Sequence, residues 1–238
     1  MGLLQNLKDI ELAREKLKDF ENVVYVQIAL LIATMLVKGC LDLFEIPYSD
    51  KITESLFFMV LGMYVYLLWD MLRNYTRSKI MLIALLILIM GTFFIGFIFI
   101  NPFFTLIEGT TFKIVAGLIM FTLLVVEVSV MYFTITEMFK RDLPVNERLL
   151  GATCIYLIMG ISFASIYEII DTINVTSLGF NMPLGTLHFM KSLSFSFLTL
   201  AGLDNPYVCS ELVINVSTLE SIWGNLFIVF VVGRLLYK

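Results

Sequence analysis

The segment "IMLIALLILIMGTFFIGFIFI", residues 80–100, runs for 21 positions without a charged side chain. About 18 or more apolar residues in a row are enough for a helix to cross the hydrocarbon core of a bilayer. Only two glycines and one threonine interrupt its hydrophobic residues. The segment therefore predicts a transmembrane helix and assigns the chain to the all-α membrane proteins.

The rest of the chain has the same character. Of its 238 residues, 59% are hydrophobic and 15% are charged, whereas soluble domains average about 45–50% apolar and about 25% charged residues. The net charge of −4 gives no sign of nucleic-acid binding. The first apolar stretch follows a mixed-charge segment without a small-residue cleavage site, so it is a retained span rather than a signal peptide. Six spans are predicted, at residues 23–41, 55–72, 80–100, 114–136, 149–170 and 219–236.

The distribution of Lys and Arg predicts the orientation of these spans. Twelve of the sixteen lie before the first span, after the second and fourth spans, or at the C-terminus. Both termini are therefore expected in the cytoplasm, which agrees with an even number of spans. Residues 1–22 repeat apolar side chains at helical spacing, so they are predicted to form a cytoplasmic amphipathic helix.

A polar segment of about fifty residues separates the fifth and sixth spans. It contains "TLHFMKSLSFSFLTL", residues 186–200, which is too short to span and is predicted to re-enter the membrane from outside. Irregular backbone at membrane depth is tolerated only where protein buries it or where it lines water. One such loop cannot enclose an ion, whereas four copies around an axis can, so a homotetrameric pore is expected.

Two blocks around this segment resemble a known family. "SFSFLTLAGL" and "STLESIWGNLFIVFVVGRLL" are similar to the pore module of the potassium-channel superfamily, and most similar to small bacterial "ion channel" domain proteins. The matching residues are Phe195, Ser196, Phe197, Thr199, Leu200, Leu203, Leu219, Glu220, Gly224, Val232, Arg234 and Leu235. The resemblance covers roughly residues 150–238. It implies a pore domain at 149–238, after a four-helix domain at 23–140, in a bacterial plasma membrane.

The sequence departs from the family at the selectivity filter. The family pattern T-[VL]-G-Y-G falls on residues 202–206, "GLDNP", and both filter glycines are absent there. A potassium filter needs consecutive backbone carbonyls aimed at the axis, and glycine permits the backbone angles involved. Pro206 fixes its own backbone and biases Asn205 toward extended angles. Weak potassium selectivity is therefore predicted.

Side chains replace the missing carbonyl cages. Four copies of Asp204 would form a carboxylate ring, a possible cation site, with Asn205 amides beside it. Such oxygen ligands favour sodium, calcium or a partly hydrated cation. Asp204 could instead point away from the axis and cap a turn. The predicted filter and pore residues are Thr199, Leu200, Gly202, Leu203, Asp204, Asn205 and Pro206.

Other residues are assigned roles around this loop. Glu168 and Asp171, at the outer end of span five, either hold the filter from behind or add negative potential at the mouth. Glu220 is also assigned to filter support and is expected to open the last helix, where an acid suits the N-terminus. The remaining candidates are Gly224 as a hinge or a close-packing site, Asn225 as a cavity residue or a hydrogen-bonding partner, and His188 as a packed residue.

The fourth span carries one charge, Glu127, and no arginine. Voltage sensors carry several arginines that move in the field, so the first four spans are not expected to act as one. Glu127 is either a buried polar contact or an ion site.

The predicted function is a tetrameric cation channel, non-selective or permeable to sodium and calcium. Its ligands would be permeant monovalent or divalent cations, without a cofactor. The alternative is a non-conducting scaffold or regulatory subunit derived from a channel, for which a separate soluble partner is expected. Neither a nucleophile-base pair nor a phosphate loop is found in the sequence, so no enzymatic activity is predicted.

Overall fold

The computed structural model describes residues 18–75, 79–99, 109–138, 145–174, 176–180 and 182–236. Most of the predicted amphipathic helix, at 1–17, lies outside these ranges. So do several of the basic residues that predicted the orientation, namely Arg77, Lys140, Arg141 and Lys238. Within the described ranges every regular element is a helix.

Seven helices cover the described chain, and six of them are long and apolar enough to cross a membrane. The prediction of six candidate spans is thereby confirmed, as expected of a multi-pass membrane protein. The helices are α1 (Lys18–Leu43, with a π-helical turn at Ala33–Val37), α2 (Ser49–Tyr75), α3 (Lys79–Phe99), α4 (Gly109–Met138), α5 (Val145–Ile173), α6 (Thr186–Leu200) and α7 (Glu211–Leu236).

Several helices extend beyond the predicted spans, one of them across the predicted boundary at residues 22 and 23. Helix α1 continues through the boundary placed between residues 22 and 23. Helix α2 begins six residues before 55, and α7 begins eight residues before 219. The first turns of α2 and α7 contain acidic and amide side chains, which lower the local hydropathy without breaking the helix. Glu220 consequently lies in the third turn of α7, and Glu211 occupies the first turn instead.

One apolar core joins the first four helices to the segment between α5 and α7. It includes Leu30 of α1, Tyr64 of α2, Val126 of α4, Ile158 of α5 and Phe189 of α6, all almost fully buried. Helix α6 packs against α5 and α7, and also against α2 and the π-helical turn of α1. The four-helix part thus packs on α5 and α6 of its own chain.

Candidate functional site: helix α6 and the loop that follows it

Helix α6 carries a polar stripe on one buried face. His188, Ser192 and Ser196 recur every four residues, so they lie above one another on the helix surface. All three are fully buried. Buried polar groups need partners, and acidic side chains of α5 and α7 supply them.

The His188 ring lies between two carboxylates of α5. Its Nδ1 is 2.8 Å from Oε2 of Glu168, and its Nε2 is 3.0 Å from Oδ2 of Asp171. The first contact is a hydrogen bond. The second is an ion pair without hydrogen-bond geometry, because the Nε2–H is not directed at the carboxylate oxygen. Burial lowers the pKa of His188, but the close contacts with the negatively charged Asp171 and Glu168 outweigh it and raise the pKa to about 9. The imidazole is therefore positively charged at neutral pH.

Ser192 and the loop before α6 complete this cluster. The Ser192 hydroxyl donates to Oε2 of Glu168 at 2.8 Å. Oδ1 of Asp171 accepts the backbone N–H of Leu178 at 3.1 Å. Glu168 and Asp171 thus hold the first turns of α6 and the turn that precedes it, rather than the loop at 203–206.

Glu220 joins three helices further along α6. Its carboxylate accepts from the Ser196 hydroxyl of α6 and, at 2.5 Å, from the Tyr167 hydroxyl of α5. The Ser196 hydroxyl also lies 2.7 Å from the carbonyl of Gly160, to which it can donate instead. Tyr167 further packs edge-on against Phe195, with 4.9 Å between ring centroids. The three carboxylates predicted to support the pore loop therefore all bind α6 itself or the turn before it.

Sequence reasoning missed the partners of these acids. His188 was expected only to pack, and Tyr167, Ser192 and Ser196 were given no role. The sequence does contain a signal, because polar residues every four positions in a short apolar helix indicate a buried polar face. Glu168 and Asp171, three residues apart on α5, also share one face.

The C-terminal end of α6 is closed by its own chain. Gly202 has a φ of +71°, a left-handed conformation that glycine adopts without strain. Its N–H donates to the carbonyl of Thr199 at 3.0 Å, and the N–H of Leu203 donates to that of Leu198 at 2.9 Å. These two bonds form a Schellman motif. Since the Tyr156 hydroxyl lies 3.3 Å from the carbonyl of Leu200, the last carbonyls of α6 are occupied.

Asn205 turns back toward α6. Its Nδ2 donates to the Thr199 hydroxyl at 2.7 Å and approaches the carbonyl of Phe195 at 3.4 Å. The Thr199 hydroxyl in turn donates to the carbonyl of Phe195. The Asn205 amide and the Thr199 hydroxyl, both among the predicted filter and pore residues, are therefore engaged within the chain. The turn alternative was stated for Asp204, whereas it is the Asn205 amide that fixes the loop to the helix.

The neighbouring residues Leu203, Asp204 and Pro206 are exposed. Leu203 and Asp204 border a recess of about 530 Å3 between the loop and α7, which Thr218 and Ser221 line from the opposite side. Asp204 is the acidic group on this recess. The two adjacent residues are thus oriented differently. The Asn205 amide is hydrogen-bonded to Thr199, whereas the Asp204 side chain is exposed on the recess.

Helix α7 has three distinct faces. Val213, Glu220 and Gly224 are buried, and a Cβ at Gly224 would lie 3.0 Å from Cδ1 and 3.2 Å from the carbonyl oxygen of Leu200, so this glycine is a close-packing site. A second face is apolar and exposed. The third carries exposed polar side chains seven residues apart, at Glu211, Thr218 and Asn225.

Glu127 of α4 is fully buried. The Tyr64 hydroxyl of α2 donates to its Oε1 at 3.3 Å. This is a buried polar contact, one of the two roles that the sequence offered for Glu127. Its Oε2 has no hydrogen-bond partner among the described residues.

Comparison with known proteins gives no further identification: neither a protein-family model, nor a curated protein, nor a solved structure matches this chain.

Proposed function

We propose that this protein is a cation channel built from four copies of the chain, with potassium-channel-like architecture and a non-standard ion path. It would lie in the plasma membrane with both termini in the cytoplasm. Helix α6 would re-enter the membrane from outside, and α7 would face the axis. Sodium, calcium or other cations would permeate without strict selection for potassium.

The exposed polar face of α7 is the observation that carries this proposal. Glu211, Thr218 and Asn225 lie on one side of a helix long enough to cross a membrane. The Thr218 hydroxyl donates to the carbonyl of Ile214 at 2.8 Å. In hydrocarbon, the Glu211 carboxylate and the Asn225 amide are costly unless they face protein or water. The other exposed face of the same helix, with Leu219, Trp223 and Phe230, is apolar throughout and suits lipid. A water-filled axis shared by four α7 helices would satisfy the polar face.

The position of Asp204 supports the same arrangement. It is exposed on the recess that Thr218 of α7 also lines, so assembly around α7 would bring four Asp204 carboxylates toward one axis. Acidic rings select cations by charge and need not strip all their water. The two filter glycines missing from residues 202–206 argue against a row of potassium-sized cages, because such cages need consecutive carbonyls aimed at the axis.

Ion flux into liposomes tests the proposal. The purified protein is reconstituted, and uptake of sodium, potassium and calcium is measured with ion-sensitive dyes. We expect uptake of all three cations. Asp204→Asn should lower the calcium-to-sodium ratio several-fold, since it removes the charge of the ring and preserves its shape. Glu45→Gln, an exposed acid in the turn between α1 and α2, is the matched control and should leave the ratio unchanged.

Background uptake of every cation by a folded tetramer would contradict the channel proposal. An unchanged ratio in Asp204→Asn, with flux intact, would contradict the role of Asp204 and leave the pore itself standing.

A non-conducting scaffold or regulatory subunit is the second candidate. The capped end of α6 and the engaged Asn205 amide favour it, because both satisfy polar groups of the loop within the chain. Background flux together with stable co-purification of a soluble protein would support this candidate over the channel.

A further inference from the structure

A second cavity, of about 470 Å3, lies between α2, α3 and α4 and reaches the start of α6. Its inner wall consists of buried apolar side chains, namely Phe57, Ile89, Met120, Leu123, Val126 and Phe189. The side chains of Met59, Met63 and Phe94 line it from α2 and α3 and are exposed. The cavity is therefore a slot that opens sideways between α2 and α3, away from the recess at Asp204.

Three polar side chains that line the slot, Thr92, Thr122 and Glu168, already have partners. The Thr92 hydroxyl donates to the carbonyl of Leu88 at 2.8 Å, and the Thr122 hydroxyl donates to that of Leu118 at 2.9 Å. The Glu168 carboxylate at one end is engaged by His188 and Ser192. An occupant that offered hydrogen-bonding groups along the wall would find few partners, so hydrocarbon suits the wall best.

The shape of the slot also suits a chain-like molecule. Its wall extends along α2 from Phe57 to Tyr66 and along α4 from Ala116 to Val126. At 1.5 Å per residue these stretches measure roughly 13–15 Å. The slot thus runs parallel to helices that are expected to cross the bilayer, in the direction in which acyl chains lie.

An empty slot of this size would be unfavourable. An engineered apolar cavity of about 150 Å3 stays free of water and binds benzene, and the cost of a void grows with its volume. Here the volume is about three times larger, and the lining is similarly apolar. Hydrocarbon from the surrounding bilayer can enter through the opening between α2 and α3.

We propose that this slot binds one acyl chain of a membrane lipid. The chain would lie against Phe189, in the first turns of α6, whose ring packs edge-on against Phe57 with centroids 5.9 Å apart. The bound lipid would thus contact the same helix that His188 fixes to α5. This proposal does not rest on ion conduction, because it needs only the slot and a bilayer.

Photolabelling tests the proposal directly. The full chain is reconstituted in phosphatidylcholine vesicles that contain a phosphatidylcholine with a diazirine midway along one acyl chain. After irradiation, labelled residues are mapped by peptide mass spectrometry. We expect labels on the buried wall, at Met120, Leu123 and Phe189, as well as on lipid-facing residues.

Two variants of α4 make the test specific. Ala116 is buried on the wall, so Ala116→Phe fills the slot and should reduce wall labelling several-fold. Leu118, two residues away, is 59% exposed and lies outside the slot, so Leu118→Phe should leave wall labelling unchanged. If Ala116→Phe does not fold, the smaller change Ala116→Leu replaces it.

Labels confined to exposed residues in the unaltered protein would overturn the proposal. Equal wall labelling in the filled variant and the unaltered protein would overturn it as well. Since ion flux is not measured, failure here is distinguishable from failure of the channel proposal.

Discussion

Helix α6 and the loop beyond its C-terminus differ in how their polar groups are satisfied. Along its length, His188, Ser192 and Ser196 bind buried acids of α5 and α7. Beyond its C-terminus, Asp204 is exposed, with Asn205 beside it tied back to Thr199. The comparison indicates a rigidly held helix that presents one free carboxylate at its tip. Such an arrangement suits a binding site, because the fold fixes the position of the Asp204 loop and leaves its carboxylate accessible to a ligand.

The largest expected effect is the loss of the histidine that holds the helix. His188→Ala leaves Glu168 and Asp171 buried without their cation, and breaking a buried pair costs about 3–5 kcal/mol. We expect a marked fall in the thermal unfolding midpoint in detergent. Lys191→Ala, an exposed change on the same helix, is the control and should have little effect. Equal midpoints for the two variants would show that the cluster does not hold α6.

The same cluster predicts a pH dependence. The pKa of His188 is raised to about 9 by Asp171 and Glu168, whereas an unperturbed histidine has a pKa of about 6.5. The charged ring therefore contributes fully to stability below about pH 6.5, and this contribution is lost as the pH rises through about 9. Thermal midpoints between pH 6 and pH 10 should fall in the unaltered protein. A curve of the same shape in His188→Ala would assign the fall to other groups.

The cap at the end of α6 is expected to have an intermediate effect. Gly202 has a φ of +71° and open space around its missing Cβ, so Gly202→Ala should destabilise through the backbone alone, by about 1 kcal/mol. Gly233 is helical and also has open space. Gly233→Ala should therefore stabilise slightly, by about 0.5–1 kcal/mol. Chemical or thermal unfolding of both variants checks the opposite signs, and a shared sign would contradict the role of the cap.

The smallest effects on stability are expected in the loop. Asn205→Ala removes one hydrogen bond to Thr199 and should cost about 1 kcal/mol. Asp204→Asn changes an exposed side chain and should alter stability by less than about 0.5 kcal/mol. An unfolding assay should therefore respond to Asn205→Ala, whereas an ion-flux assay should respond to Asp204→Asn. A larger loss of stability in Asp204→Asn would place its carboxylate in the framework.

Hydropathy alone predicted much of the fold. The long apolar stretches gave six candidate spans, and the start and end of α6, at Thr186 and Leu200, were predicted correctly. Glycines lie just beyond both ends, Gly185 before the first residue and Gly202 in the left-handed turn after the last one. The start of α7 was missed because its first turns contain Glu211 and Asn215, which resemble a loop by composition alone.

The site was predictable only in part. Glu168 and Asp171 were predicted as supporting acids from their place at the outer end of span five. Glu220 was predicted as one from an expected place at a helix N-terminus, which Glu211 occupies instead. Which groups these acids contact depends on how α5, α6 and α7 pack. The local sequence does not encode the distances between side chains of different helices. The direction of the Asn205 amide is a similar case, since both an ion and the Thr199 hydroxyl could satisfy it.

The central claim is that four α7 helices and four Asp204 carboxylates surround one axis. Electron cryo-microscopy of the purified protein in lipid nanodiscs tests it most directly. The account predicts four-fold symmetric particles in which Asp204 and the polar face of α7, with Thr218 and Asn225, point toward the symmetry axis. Monomeric particles, or an assembly in which Asp204 lies on the outer surface away from the axis, would contradict it.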